Sequence, residues 1–195
     1  MPSRATTAAT AAGRRTSEGH EITFATHLLN GSYLLTSLAL PLLRAAAAPR
    51  VIFVSSGGMY NAKFPGVSAS DFAAVDEQKA SKTYNRELAY AHAKRGQVLL
   101  AEQFSERHAD VAFVSCHPGW SETPGVDDWL GASKVILQPM RSLWQGVEGI
   151  AWLCAADRSE LDAGAFYLDR TPRTKHLAGP FFTCLLYTSP SPRDS

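Results

Sequence analysis

The chain has 195 residues, of which 45% are hydrophobic and 19% are charged, and its formal net charge is +1. This length suffices for one domain with a sizeable core, and the near-zero charge argues against a nucleic-acid surface or a strongly acidic partner. The most apolar run, residues 33–43, is shorter than the ~20 residues that a membrane-spanning helix needs, and polar residues and a proline interrupt it. We therefore expect no transmembrane segment.

The N-terminal composition and the cysteines bear on the compartment in which the protein works. Residues 1–15 are rich in alanine, threonine and arginine, and no acidic residue precedes Glu18. This composition fits an organelle transit peptide, a disordered stub or a wrongly assigned start. Cys116, Cys154 and Cys184 form an odd set without metal-ligand spacing, which indicates free thiols in a reducing compartment and no metal site. We expect a cytoplasmic protein, with organelle targeting as the alternative.

Hydrophobic patterns along the chain predict helices and strands in alternation. Apolar residues at three- and four-residue spacing favour a long, largely buried first helix, whereas short β-branched and aromatic runs favour strands buried on both faces. Residues 57–85 show no firm pattern. The predicted elements are a helix at about 21–47, a strand at 50–56, a helix through Tyr90 to about 107, a strand at 111–116, a helix at 142–156 and a strand at 164–168.

This alternation predicts an α/β fold. Strands that alternate with helices are joined by crossover connections, so we expect a parallel sheet covered by helices on its faces. Three strands are few for a free-standing sheet of this kind. The pattern therefore suggests that a preceding part of the sheet is missing.

Residues able to do chemistry follow the predicted strands at one edge of the sheet. Ser55 and Ser56 close the first strand, and the helix that begins near the same edge carries Tyr90. Ligands of open parallel sheets bind outside the carboxyl ends of the strands. We therefore expect one crevice there, which the turn after the second strand also lines with Pro118, Gly119 and Thr123.

Tyr90 and Lys94 are four residues apart in a helical segment, so they project from one side of that helix. A nearby cation favours the phenolate and lowers the pKa of a tyrosine, which makes the two side chains a plausible acid/base pair. The spacing alone is a weak signal, because a tyrosine packed beside a solvated lysine is commoner. The neighbouring motifs give it weight.

Three motifs together resemble the short-chain dehydrogenase/reductase superfamily: V-S-S-G-G at 54–58, Y-A-H-A-K at 90–94 and H-P-G-W-S-E-T-P-G at 117–125. That superfamily has a serine after one strand, Y-x-x-x-K on the next helix and P-G-x-x-x-T after the following strand. Order and spacing match from about residue 18 to residue 177. A later run, D-R-x-P-x-x-x-H-L at 169–177, resembles one branch of the superfamily.

The resemblance implies an oxidoreductase that uses NAD or NADP. Tyr90 would protonate a carbonyl oxygen during reduction, or act as the base in alcohol oxidation. Lys94 would lower the pKa of Tyr90 and bond the nicotinamide ribose, and Ser56 would polarise the substrate oxygen. For single residues the local alternative stays open, since hydroxyls such as those of Ser55 and Thr123 often bond nearby backbone. The implied site residues are Ser56, Tyr90 and Lys94 for catalysis, and Tyr90, Lys94, Pro118, Gly119 and Thr123 for the cofactor.

Two departures from the superfamily pattern matter. Members usually carry an asparagine on the helix before the serine strand. Here that position aligns with His27, or with Asn30 if a one-residue extension lies elsewhere, and the two are three residues apart on one helix face. The second departure is larger, because no Gly-rich strand-to-helix turn of G-x-x-x-G-x-G or G-x-G-x-x-G type occurs in the 195 residues. That turn seats the cofactor pyrophosphate on a helix N-terminus.

We therefore expect the C-terminal part of a Rossmann-type doubly wound parallel sheet with flanking helices, its N-terminal βαβ half missing. The partial domain would span residues 16–183. Residues 184–195 resemble the translated product of a sequencing adapter and are expected to be an artefact. The choice between NAD and NADP rests on residues that the chain does not contain.

Substrate and partners are the least determined by the sequence. Residues 124–142 occupy the position of the superfamily's substrate loop, and their apolar side chains suggest an apolar carbonyl or alcohol, or else packing on the domain itself. The resemblance also implies a homo-oligomer that pairs the helices of His27 and Tyr90. The alternative to an enzyme is a non-catalytic member that binds a nucleotide or a protein. The apolar residues in question are Trp129, Val135, Ile136, Leu137 and Met140.

Overall fold

The computed structural model describes residues 15–61, 64, 86–131, 135 and 138–177. The predicted N-terminal stub up to residue 14, the tail at 184–195 and most of the segment 57–85 lie outside these residues. In chain order the elements are α1 (residues 22–43), β1 (Arg50–Val54), a 3₁₀ turn (Gly57–Asn61), α2 (Arg86–Arg107), β2 (Ala112–Cys116), α3 (Pro124–Leu130), α4 (Leu143–Ala155), a 3₁₀ turn (Arg158–Glu160), β3 (Phe166–Leu168) and β4 (Thr171–Arg173).

The strands form one sheet in the order β1-β2-β3-β4. β1 pairs in parallel with β2, and β2 in parallel with β3. The predicted α/β fold with a mostly parallel sheet is confirmed. β4 corrects the all-parallel expectation, because it runs antiparallel to β3.

Helices cover both faces of this sheet. On one face α4 contributes the fully buried Leu153, which packs with Val114 and Tyr167. On the other face α1 and α2 contribute Leu40 and Phe104, which pack with the remaining apolar side chains of β1 and β2. All five residues of β2 are buried, as the continuous apolar run predicts for a strand covered on both sides.

α1 is one continuous helix with an unusual middle. Ile22–Phe24 and Leu35–Leu43 are α-helical, whereas Ala25–Leu34 is π-helical. A side chain at Gly31 would overlap the carbonyl oxygen of Thr26. The π-helical turn therefore leaves room for glycine at this position and for no larger residue. Pro41 lies inside the last α-helical segment.

β3 and β4 are joined by a two-residue turn. Asp169 and Arg170 have φ angles of 53° and 62°, and Leu168 pairs with Thr171 across the turn. Positive φ at both central residues is typical of type I′ hairpin turns. The turn therefore places two charged side chains directly after the carboxyl end of β3.

A buried charged cluster fixes α2 to the segment that follows β4. The fully buried Arg95 bonds the carbonyl oxygen of Lys175 and Nδ1 of His176, and it contacts Met59 Sδ at 3.2 Å. His176 Nε2 and Lys175 Nζ reach Glu102 Oε1 at 3.0 and 2.7 Å. Burial would raise the pKa of Glu102, but these two partners outweigh it and hold that pKa below its usual value.

The surface carries one apolar stripe on α1. Leu35, Leu38 and Leu42 are 63%, 69% and 79% exposed. Among the described residues, no helix combines the length and the apolar composition needed to cross a bilayer.

Two leucines of α4 test the assignment of the core. Leu153→Ala is expected to lower the free energy of unfolding by about 2–5 kcal/mol, because it opens a cavity in a packed interior. Leu143→Ala, on the same helix and 62% exposed, is expected to cost well under 1 kcal/mol. Urea unfolding followed by circular dichroism measures both, and equal costs would contradict the packing of α4 on the sheet.

Candidate active site

Two hydrogen bonds in opposite directions join the end of β1 to α2. Lys94 Nζ donates to the carbonyl oxygen of Val54 at 2.9 Å, and Ser55 Oγ donates to the carbonyl oxygen of Lys94 at 2.8 Å. Ser55 and Lys94 are 4% and 8% exposed. Ser55 thus bonds backbone, as the alternative proposed, but on another element and not locally. This bond fixes the helix that carries Tyr90 and Lys94 against the strand that precedes Ser56.

The three residues predicted for catalysis lie together. Tyr90 and Ser56 share a side-chain hydrogen bond, and Lys94 Nζ lies 5.5 Å from the centroid of the Tyr90 ring. Ser56 Oγ also accepts a hydrogen bond from the backbone N–H of Gly58 at 3.2 Å. Tyr90 is 37% exposed and Ser56 is partly buried, so part of the tyrosine side chain is open to solvent.

Burial raises the pKa of Tyr90, and the hydrogen bond with Ser56 only partly opposes the rise. The sequence predicts a shift downward, caused by Lys94, so in the protein alone that prediction is wrong. The physical reason is the direction of the ammonium, which bonds Val54 and Gln97 instead of the phenol oxygen. Tyr90 is therefore neutral and holds its proton at neutral pH.

Desolvation lowers the pKa of Lys94 to about 8. Nearby, burial raises the pKa of the Cys116 thiol to about 12, so the thiol is neutral beside the amine. Gln97, one turn further along α2, accepts from Lys94 Nζ through Oε1 at 3.2 Å. Gln97 belongs to none of the sequence motifs, although its spacing of three residues from Lys94 is one that places two side chains on one helix face.

His27 and Asn30, the two candidates for the superfamily's asparagine position, differ in placement. The His27 ring packs edge-on against Tyr90, with centroids 5.4 Å apart and planes at 90°. Burial, followed by the charge of Lys94, lowers the pKa of His27 to about 4, so its ring is neutral. The Asn30 side chain is exposed. His27 is thus the residue of α1 that reaches the site.

The residues after β2 reach the same edge of the sheet. The His117 ring stacks on Phe166 at 5.1 Å, and it lies next to Gly57, which follows Ser56. Gly119 has φ +73°, and its N–H donates to His117 Nδ1 at 3.2 Å. The turn after β2 therefore meets the turn after β1 through His117.

Thr123 has a local function that the sequence analysis kept open. Its Oγ1 accepts from the backbone N–H of Val126 at 3.2 Å and caps α3. Among the described residues, Thr123 makes its hydrogen bonds with α3 and none with Ser56 or Tyr90. Pro118 lies against α4, where a side chain at Gly146 would come within 3.6 Å of it.

An open pocket lies further along the edge, beyond β3. Arg141 pairs with both carboxylate oxygens of Asp169, and its backbone bonds Trp120 and Glu122 at 2.9 Å. The pocket has a volume of about 410 Å³ and is lined by Arg141, Trp144, Gln145, Glu148 and Asp169. Four of these five residues are polar or charged, yet apolar atoms form most of the lining surface.

The predicted substrate loop is only partly described. Val135 is 75% exposed, and Met140 is partly buried. Ile136, Leu137 and the side chain of Trp129 lie outside the described residues. Residues 124–130, the first part of the predicted substrate loop, form α3, because Thr123 caps the helix and Pro124 is suited to its first turn.

A mostly parallel sheet with a serine after one strand and a tyrosine four residues before a lysine on the following helix defines a site of the short-chain dehydrogenase/reductase type. Comparison with known proteins agrees. The chain is 35% identical over 182 residues to bovine dehydrogenase/reductase SDR family member 12, covering 92% of this chain and 52% of that protein. The human protein of the same name is 35% identical over 164 residues, covering 83% of this chain and 49% of that protein.

A third relative is bacterial. The putative daunorubicin C-13 ketoreductase DnrU of Streptomyces sp. (strain C5) is 32% identical over 98 residues, covering 50% of this chain and 33% of that protein. No family model matches the chain, and the chain spans about half the length of the first two relatives. These relatives support a relationship of the chain to the short-chain dehydrogenase/reductase superfamily, and the branch that the sequence pattern resembles is among them.

The buried ammonium of Lys94 predicts a pH dependence of stability. Its pKa is about 8 in the folded protein and 10.5 for the free side chain, so between these values the unfolded chain binds more protons and stability rises with pH. Lys94→Met lacks this pH-dependent contribution. The free energy of unfolding of Lys94→Met minus that of wild type is therefore expected to fall by roughly 2–3 kcal/mol between pH 7 and pH 10. Urea unfolding across that range measures it, and parallel curves would contradict a desolvated lysine.

Gly119 and Gly131 form a matched pair for the turn after β2. A Cβ on Gly119 would lie 2.5 Å from Arg141 Nε, whereas a Cβ on Gly131, at φ +50°, meets nothing within 4 Å. Positive φ is strained for alanine at both positions, and we expect a further loss from the clash with Arg141 only for Gly119→Ala. Chemical unfolding measures both variants. In an Arg141→Ala background the cost of Gly119→Ala should fall while that of Gly131→Ala stays the same, and an unchanged cost of Gly119→Ala would show that Arg141 is not the cause.

Proposed function

We propose that this chain carries the proton-transfer part of an NAD(P)-dependent oxidoreductase that interconverts a carbonyl and an alcohol. The observation that supports the proposal best is the contact of Ser56, Tyr90 and Lys94 at the carboxyl edge of the sheet. The names of the matched relatives, a dehydrogenase/reductase and a ketoreductase, point to the same reaction class.

Each residue has a role that follows from its environment. The raised pKa of Tyr90 keeps its phenol protonated at neutral pH, as a general acid that donates to a carbonyl oxygen requires. The Ser56 hydroxyl, held by Gly58 and Tyr90, would bond the same oxygen and polarise the carbonyl. Lys94 would then favour the phenolate that remains after the proton has left.

The described residues fit the nicotinamide side of the proposed cofactor. An ammonium group has three donors, and the bonds to Val54 and Gln97 leave a third for a ribose hydroxyl. Thr123 accepts from Val126 and keeps its own O–H to donate. Pro118 and Gly119 complete the proposed wall of the site. When bound, the cofactor supplies the hydride, and the protein supplies position and proton transfer.

The adenosine side of the cofactor needs a Gly-rich turn that these 195 residues do not contain. We therefore expect that the chain as printed shows no saturable binding of NADH or NADPH. NAD and NADP remain alternatives. We also propose a small carbonyl or alcohol substrate and a homo-oligomer, which the exposed leucines of α1 would suit because apolar surface of this kind favours association.

Tyr90→Phe tests the proposed reaction. The assay measures oxidation of NADH and NADPH with a panel of aldehydes and ketones, on the chain extended at its N-terminus to include a nucleotide-binding turn. Loss of the proton donor is expected to lower turnover by about 10²–10⁴-fold and to leave cofactor affinity nearly unchanged.

Tyr33→Phe is the matched control, since Tyr33 is also partly exposed but lies on α1, where its ring packs against Phe104. It is expected to leave both turnover and cofactor affinity unchanged. Retained turnover in Tyr90→Phe would refute the role of Tyr90. Saturable cofactor binding without turnover in the wild type would favour the non-catalytic alternative.

A further inference from the structure

Gln97 stands at the centre of a buried polar network that connects Lys94 to the π-helical segment of α1. Its Oε1 accepts from Lys94 Nζ at 3.2 Å. Its Nε2 donates to the carbonyl oxygen of His27 and to Ser32 Oγ, each at 2.9 Å. Gln97 is 7% exposed and Ser32 is 3% exposed, so these hydrogen bonds are largely shielded from water.

The partners of the Gln97 amide fix its orientation. The carbonyl oxygen of His27 can only accept, so it requires the NH₂ group of Gln97 to face it. Ser32 Oγ donates its own proton to that same carbonyl at 2.6 Å and therefore accepts from Gln97. A flipped amide would place two acceptors together at His27 and a donor against the ammonium of Lys94. One orientation alone satisfies every group.

The π-helical segment supplies the other end of this network. Ser32 follows His27 by five residues, the spacing of one π turn, and this brings the Ser32 hydroxyl onto the His27 carbonyl. The same residue, His27, packs its ring against Tyr90. The segment thus presents a ring to the phenol and a carbonyl oxygen to Gln97.

We propose that Gln97 is a positioning residue of the site, which holds the Lys94 ammonium in place through an amide anchored on His27 and Ser32. This inference rests on the proposed function, in which Lys94 assists Tyr90. Without Gln97, the ammonium would keep only the bond to Val54 among the hydrogen bonds that the structure gives its Nζ. The groups that surround the ammonium, namely Tyr90, the neutral His27 and Cys116, supply no negative charge to replace the lost acceptor.

Two substitutions of Gln97 separate the effect of its hydrogen-bond acceptor from the effect of its side-chain shape. Gln97→Met keeps the length and removes the hydrogen bonds, and Gln97→Glu keeps an acceptor and adds negative charge. A hydrogen bond to a charged group contributes enough to move a pKa by about one unit. We expect the pKa of Lys94 to fall by roughly one unit in Gln97→Met and to rise above the wild-type value in Gln97→Glu.

The measurement is a pH titration of the lysine side-chain NMR signals of the chain labelled at lysine Cε, with Lys94→Met to assign the Lys94 signal. Gln103→Met, the same change on the same helix, serves as the control, because Gln103 bonds Glu106 at 3.3 Å and not Lys94. It is expected to leave the Lys94 titration unchanged. A purely structural role for Gln97 predicts lower stability with an unchanged titration.

An unchanged Lys94 titration in folded Gln97→Met would overturn the proposal, and if one variant does not fold, the other decides by the direction of its shift. The titration needs no turnover, so its outcome is separate from that of the Tyr90→Phe assay. Opposite shifts in the two Gln97 variants would support the positioning role even if the oxidoreductase proposal failed.

Discussion

The bond between Lys94 Nζ and the carbonyl oxygen of Val54 is the constraint on which the site depends. Val54 is the last residue of β1. The N–H of the next residue, Ser55, still bonds the carbonyl oxygen of Cys116 on β2 at 2.7 Å. Because backbone groups alternate in direction along a strand, the carbonyl of Val54 points away from β2, where it accepts from the lysine side chain. The return bond from Ser55 to the Lys94 carbonyl closes a two-point clamp between strand and helix. The clamp sets where Ser56 follows the strand and where Tyr90 stands one turn before Lys94.

Burying an ammonium group at this position has an electrostatic consequence for its neighbours. A desolvated charge is costly unless acceptors surround it, and the acceptors here are a backbone carbonyl and an amide oxygen, both neutral. His27, Tyr90 and Cys116 are neutral as well, because burial disfavours their charged forms. The site is therefore poised with a proton on the phenol and an amine whose pKa lies near neutrality.

Much of the fold could be predicted from periodicity, because apolar runs such as that of β2 have few alternatives when both faces are buried. β4 could not. Its turn uses Asp169 and Arg170 at positive φ, where glycine or asparagine is the usual signal, and Pro172 argues against a central strand. The π-helical part of α1 also gave no signal, since helical spacing does not distinguish i−4 from i−5 bonding over three turns.

Only those residues of the site that belong to sequence motifs could be predicted. Serine, tyrosine and lysine at fixed spacing identify their own positions, and the structure brings those three together. Gln97 belongs to no such motif, and its importance follows from a question that the sequence leaves open, namely which groups satisfy a buried ammonium. Since every buried donor needs an acceptor, the network around Lys94 extends along α2 to Gln97 and from there to the His27 carbonyl. The unusual geometry of α1 thus becomes part of the lysine's environment, two hydrogen bonds away from the charge it supports.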